Sequence, residues 1–169
     1  MTEKARKTGS KPIDKITFDE IDRSILDILQ QDSDTVISAI SEAVGLSVTP
    51  CWRRIKRMEE AGLIKKRVVL VDQARANVPM TVFIGVTASR HELNWLQRFC
   101  DLIDEIPEVV EAYRLTGTVD YILKVVVSDM SAYDQVYKRM IGRLEFSQVN
   151  SMISMEELKF TTAVPTKYL

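Results

Sequence analysis

The sequence predicts an α+β protein in two parts, an N-terminal winged helix-turn-helix followed by a C-terminal ferredoxin-like β-α-β-β-α-β domain. Apolar residues recur at helical spacing up to about residue 64 and alternate after Pro79. Two short helical stretches flank a tight Gly45-Leu46 turn. Charge is also uneven: residues 47–67 carry +5 and everything after Arg67 carries −3, in a chain of net charge −1.

Residues 1–16 are basic and polar, with Gly9, Ser10 and Pro12, and read as a flexible arm. The first helix is expected to start at Thr17, its hydroxyl capping and Glu20 closing a capping box. Phe18, Ile21, Ile25, Ile28 and Leu29 then follow helical spacing to about Gln31. A second helix over Val36–Val44 buries Ile37, Ile40 and Val44, and Gly45 suits the left-handed position that ends it. Ser47 caps the third helix, whose first turn tolerates Pro50. On that helix Cys51, Ile55 and Met58 share the core face, while Thr49, Arg53, Lys56 and Arg57 point away. Gly62 ends it, and Lys65–Asp72, basic and then β-branched, reads as a β wing. Residues 17–72 thus form one domain.

Residues 73–79 are polar, lack periodicity and end in a proline, which makes them the linker. Domain two, residues 80–165, begins with the alternation Met80, Val82, Ile84, Val86, Ala88. A helix with Leu93, Leu96, Phe99, Ile103 and Ile106 runs to Pro107, with His91 capping or decorating its start. Strands over Val109–Leu115 and Tyr121–Val127 flank a glycine turn, Tyr133, Val136, Met140 and Leu144 mark a further helix, and Val149–Lys159 closes as a strand.

Composition removes several functions. No apolar run reaches the roughly 20 residues that cross a bilayer, and the first residues form no secretory signal, so the expectation is a cytoplasmic protein without membrane contact. Two cysteines, Cys51 and Cys100, are too few for a disulfide framework and are expected reduced. With a single histidine and no clustered cysteine, neither a metal site nor a catalytic set can be assembled. No cofactor is expected, and no enzyme activity.

The basic third helix points to double-stranded DNA, because guanidinium and ammonium groups match phosphates and guanine edges. The DNA-binding set is Ser47, Thr49, Pro50, Arg53, Arg54, Lys56, Arg57, Lys65, Lys66 and Arg67. Arg53 and Arg57 are the base-reading candidates, and Lys56, Lys65, Lys66 and Arg67 the phosphate clamps. Arg54 flanks the core face and is a candidate to pair with a carboxylate instead. Trp52 either packs on the second helix, the favoured reading, or presses on the DNA backbone, and Cys51 is read as a small buried hydrophobe rather than a redox switch. The corner Leu115–Tyr121, LTGTVDY, is either a hairpin turn at a subunit interface or a site for an amino acid, whose ammonium seeks oxygens and whose carboxylate seeks N–H groups. Glu156 and Glu157 alternate to opposite faces of a strand and cannot act as an acid/base pair.

FDEIDRSILDILQQD, VGLSVTPCWRRIKRMEEAGLI, LTGTVDYILKVVVSDMSAY and SMEELKFTTAVP, in this order, resemble the Lrp/AsnC family of feast/famine regulators over Phe18 to about Pro165. TPCWRRIKRMEEAG, WLQRFC, SDMSAYDQVYKRMI and FTTAVP look most like the branch controlling cysteine detoxification. The resemblance implies a C-terminal RAM/ACT-like domain that pairs by its sheet into homodimers, often assembled into an octamer that wraps DNA. It also implies an amino-acid effector, L-cysteine by the branch, held near Thr116, Gly117, Thr118, Asp120 and Tyr121, with Ser154 and Glu156 as outer candidates. Two positions depart from the pattern: Thr118 stands where many relatives are acidic, and Glu145-Phe146-Ser147-Gln148 where many have Pro-Gly. The competing expectation is a nucleoid-type architectural protein that wraps DNA without a ligand.

Overall fold

A computed structural model describes residues 17–90 and 92–169, so the arm over residues 1–16 and the role expected of His91 lie outside the described residues. These residues fall into two compact units, one running up to Val69 and taking back Phe160–Leu169, the other Leu70–Lys159.

The first unit holds α1 (Glu20–Gln31), α2 (Ile37–Ala43) and α3 (Val48–Glu60). Ile25, Leu26, Ile40, Cys51, Ile55 and Met58 form its buried core, each large side chain stabilising the unit by roughly 1.5–3 kcal/mol. Helix α1 starts three residues later than the sequence suggests. Asp19, not Thr17, is its cap: the Asp19 carboxylate accepts from Asp22 N–H at 2.9 Å, and Asp22 accepts from Asp19 N–H at 3.1 Å. Two overlapping cap patterns compete in Thr17-Phe18-Asp19-Glu20-Ile21-Asp22, and the carboxylate pair wins because Asp22 is already fixed from α3, as described below. The tail also belongs here. Thr166 donates to Asp27 at 2.9 Å, Val164 N–H donates to Gln30 at 2.7 Å, Gln30 donates back to Val164 at 3.2 Å, and Arg23 donates to the Leu169 carbonyl. Its last residues, Thr166–Tyr168, form a 3₁₀ turn.

The expected wing is not a strand. Lys65–Asp72 is extended and exposed, Val69 to 87%, because no second strand of the same unit offers it a ladder of hydrogen bonds. Residues 73–79, expected as the linker, form a tight turn within the second unit: Ala76 N–H donates to Asp72 O at 2.9 Å, Val78 N–H to Gln73 O at 2.9 Å, and Asn77 has φ 60°.

The second unit is β1 (Met80–Ala88), α4 (Leu93–Asp104), β2 (Val109–Arg114), β3 (Tyr121–Val127), α5 (Met130–Arg143) and β4 (Phe146–Ile153). Spatial order is β2-β3-β1-β4 with antiparallel neighbours throughout, as in the ferredoxin-like fold. Val82, Ile84, Val86, Leu123 and Val125 point to one face and bury against Trp95, Phe99, Leu102, Val136 and Met140 of α4 and α5. On the opposite face the register sets Phe83 beside Lys124 and Met152. Helices α4 and α5 both lie on the other side of the sheet from that face.

Two expectations shift. The buried stripe of α4 is Trp95, Phe99 and Leu102, whereas Leu93 is 86% exposed. Strand β4 begins at Phe146 and ends at Ile153, not Val149 to Lys159. Both have one cause: Trp95 donates to Glu145 O at 2.9 Å and meets Phe146 edge-on at 5.8 Å, which draws the segment lacking Pro-Gly into the sheet beside Ala88, where a bulge absorbs the offset. Asp129 caps α5 by accepting from Ala132 N–H at 2.9 Å.

Candidate functional site

The helix-turn-helix is closed by Gly45, whose φ of 68° suits a residue without Cβ, and by Leu46 N–H donating to Ser41 O at 2.8 Å. Helix α3 then starts at Ser47, which takes the cap position with extended backbone but makes no side-chain cap bond. Thr49, Pro50, Trp52, Arg53, Lys56 and Arg57 are exposed, opposite the buried Cys51, Ile55 and Met58. Trp52 is half in solvent and half covered. Burial pushes the Cys51 thiol above its ordinary pKa, partly offset by Arg54, in keeping with an inert core residue.

Carboxylates sort the cations. Asp22, fully buried, accepts from Arg54 at 2.9 Å and also from Arg57, while Arg54 reaches Asp19 at 2.8 Å. Donating to Asp22 and then to Asp19 raises the Arg54 pKa, and the Asp22 N–H with Arg54 holds the Asp19 carboxyl below its usual range. The Arg57 guanidinium also lies 5.7 Å from the centre of the Phe18 ring. Glu59 takes Lys56 at 2.6 Å and Arg67 at 3.7 Å, and Arg67 donates to Ser33 O at 3.0 Å. Among the described residues of this basic segment, Arg53, Lys65 and Lys66 are the cations with no partner. Sequence reasoning placed Arg54 beside a carboxylate but missed Asp22 and Glu59. The Asp19/Asp22 spacing was the available signal.

The LTGTVDY corner follows β2. Thr116, Gly117 and Thr118 are exposed, with Gly117 at φ 131°. Asp120 is committed structurally: its carboxylate accepts from Ala88 N–H at 2.9 Å, its N–H donates to Val86 O at 2.9 Å and its carbonyl accepts from Leu115 N–H at 2.8 Å. Val119 presses on Gly85, where a Cβ would sit 3.3 Å from Val119 Cγ1. Tyr121 turns inward, its ring tilted against Trp95 and Phe99 at 5.8 and 4.8 Å, and burial raises its pKa. Its side chain faces the core, away from the exposed corner.

Ser154 and Glu156 are not at this corner. Ser154 N–H donates to Thr81 O at 2.9 Å and its hydroxyl to Glu156 O at 3.2 Å, at the start of β1. Asp120 is tied to the end of that strand at Val86 and Ala88. Five to seven residues of strand separate the two places, roughly 17–24 Å. Within one chain the expected ligand set is therefore split.

Among the described residues, no group of three or more His, Cys, Asp and Glu is placed to hold a metal, no disulfide forms, and no helix is long and apolar enough to cross a membrane.

A helix-turn-helix bearing unpaired cations, in one chain with a ferredoxin-like unit, defines a DNA-binding transcriptional regulator with a ligand-binding domain. The family models agree in detail. Residues 18–65 match the winged helix-turn-helix DNA-binding model, and residues 81–164 match the Lrp/AsnC ligand binding domain. The glutamate uptake regulatory protein of Zymomonas mobilis is 42% identical over 148 residues, covering 88% of this chain and 90% of that protein. The DNA-binding transcriptional activator DecR of Escherichia coli is 39% identical over 149 residues, covering 88% and 98%. The structure of the Neisseria meningitidis regulator NMB0573 in complex with L-Met superposes with a TM-score of 0.86 at 30% identity, covering 90% of this chain and 99% of that one. The chain belongs to the Lrp/AsnC family, and it is a transcriptional regulator, not an enzyme.

Proposed function

We propose that this regulator binds operator DNA in the cytoplasm as a symmetric homo-oligomer whose operator affinity or assembly responds to an amino acid. The observation that carries this is the outward face of α3, where exposed cations stand on a rigid helix opposite a fully packed core. Two-fold pairing of the sheets supplies the symmetry: the uncovered face with Phe83 and Met152 is apolar enough to bury against a second copy, and the family's octamer is the expected larger assembly.

The effector is read as an amino acid at the Thr116–Asp120 corner. The Neisseria meningitidis neighbour forms a complex with L-Met. L-Cysteine is our first choice, because the motif segments resemble the cysteine-detoxification branch and DecR is among the relatives. Asp120 Oδ2 is bonded to Ala88 N–H, which leaves Oδ1 as the carboxylate oxygen with no hydrogen bond of its own for an ammonium group. Ser154 and Glu156 complete the site only when a second copy supplies them.

Isothermal calorimetry against a panel of amino acids, cysteine included and under reducing conditions, tests this together with operator binding at two salt concentrations. A saturable signal for one amino acid that also shifts operator affinity supports the reading. Silence across the panel, with little preference for operator over random DNA, would favour an architectural DNA-wrapping protein.

A further inference from the structure

We infer that Arg53 is the arginine of α3 that reads operator bases, and that Arg54 and Arg57 hold the recognition helix to α1 instead. This rests on the DNA-binding reading above and divides the base-reading role that the sequence gives to Arg53 and Arg57 alike.

Helical geometry supplies the first argument. At 3.6 residues per turn, Arg53 lies about 160° from both Cys51 and Ile55, nearly opposite the core, whereas Arg57 is about 100° from Met58 and Arg54 about 60° from Cys51. The two flanking arginines therefore lean toward α1, where the buried Asp22 sits between them. Withdrawing either guanidinium to face a base would strip a buried carboxylate of a charged partner, which is far costlier than breaking an exposed pair. Arg57 is further held over the Phe18 ring.

The second argument is what remains. Lys56 and Arg67 are drawn to Glu59, and a lysine lacks the planar fork that meets guanine O6 and N7 together. Arg53 has an exposed side chain and no partner, so it keeps all five donors for a base edge at no cost in broken pairs. Lys65 and Lys66, also unpartnered, follow the helix and serve phosphates.

The test uses the full chain. The wild-type protein selects its preferred duplex from a random pool, and fluorescence anisotropy then gives the affinity ratio between that duplex and a scrambled one for wild type, R53A, R53K and R57A. R53A and R53K are expected to reduce the ratio about 10- to 100-fold, since both lose the bidentate contact and R53K keeps the charge. R57A is expected to leave the ratio unchanged, weaken both duplexes together and lower the melting temperature. An R53A or R53K ratio equal to wild type overturns the inference alone, as does an R57A ratio that collapses with the fold intact by circular dichroism. A wild-type protein with no preferred duplex overturns the regulator reading and this inference with it.

Discussion

The carboxylate of Asp120 accepts a hydrogen bond from the N–H of Ala88 at 2.9 Å, so the acidic residue of the proposed ligand corner also ties down the end of the first strand of the sheet. Asp120→Ala leaves a half-buried N–H unpaired and is expected to cost about 1–3 kcal/mol of stability in urea unfolding. Asp120→Asn keeps an oxygen acceptor and loses only the charge. The informative pair is thus near-native stability with lost effector binding in Asp120→Asn. Full effector affinity in that variant would remove the carboxylate from ligand recognition.

Acid should loosen both units at helix starts. The Asp22 N–H, then Arg54, hold Asp19 below its usual 3.8; the Ala132 N–H, then the Ser128 hydroxyl, do the same for Asp129. A depressed carboxylate contributes stability above its unfolded pKa that is lost as pH falls through the folded value. Melting temperature should decline below about pH 4, less steeply in Asp19→Asn and Asp129→Asn, and differential scanning calorimetry across that range decides it.

Trp95 is expected to be the costliest truncation in the second unit. It stacks on Phe99 at 5.2 Å and donates to Glu145 O at 2.9 Å. Trp95→Ala should lose about 3–5 kcal/mol, and Trp95→Phe only about 0.5–1.5 kcal/mol, because the Glu145 carbonyl keeps the Ser89 hydroxyl at 3.1 Å. Leu93→Ala, on the same helix but exposed, should be close to neutral in the same unfolding measurement.

Removing residues 166–169 takes away the Thr166–Asp27 and Arg23–Leu169 bonds. The first unit is expected to lose about 1–3 kcal/mol, read by hydrogen exchange of α1 amides, while the amides of β1 and β3 keep their protection. Equal loss of protection in both would show that the tail acts beyond the unit it touches.

The sequence made the second unit legible where packing follows simple periods. Tyr133, Val136, Met140 and Leu144 repeat at helical spacing and all are buried, and β1 alternates as written. It misled where one residue satisfied two patterns. Leu93 imitates a stripe residue yet stands exposed, while Leu96 packs against the core as expected; Trp95, which the period passes over, is buried and donates to Glu145 O. Thr17 imitates a cap, yet Asp22 is pinned from α3 and captures Asp19. At the proposed ligand corner, Tyr121 follows Asp120 in the chain, but strand alternation sends its ring to the core. Ser154 and Glu156 were grouped with the corner by resemblance, which cannot show that one strand's length lies between them.

The unit that holds the recognition helix is finished by Phe160–Leu169, after all ninety residues Leu70–Lys159 of the other unit have been made. During synthesis at about 5–20 residues per second, the three helices wait several seconds for the segment that lies along α1. A nascent chain thus presents a helix-turn-helix lacking the packing of Phe160–Leu169 while the sheet assembles, and that unit attains its full stability only once this segment has been made and laid along α1.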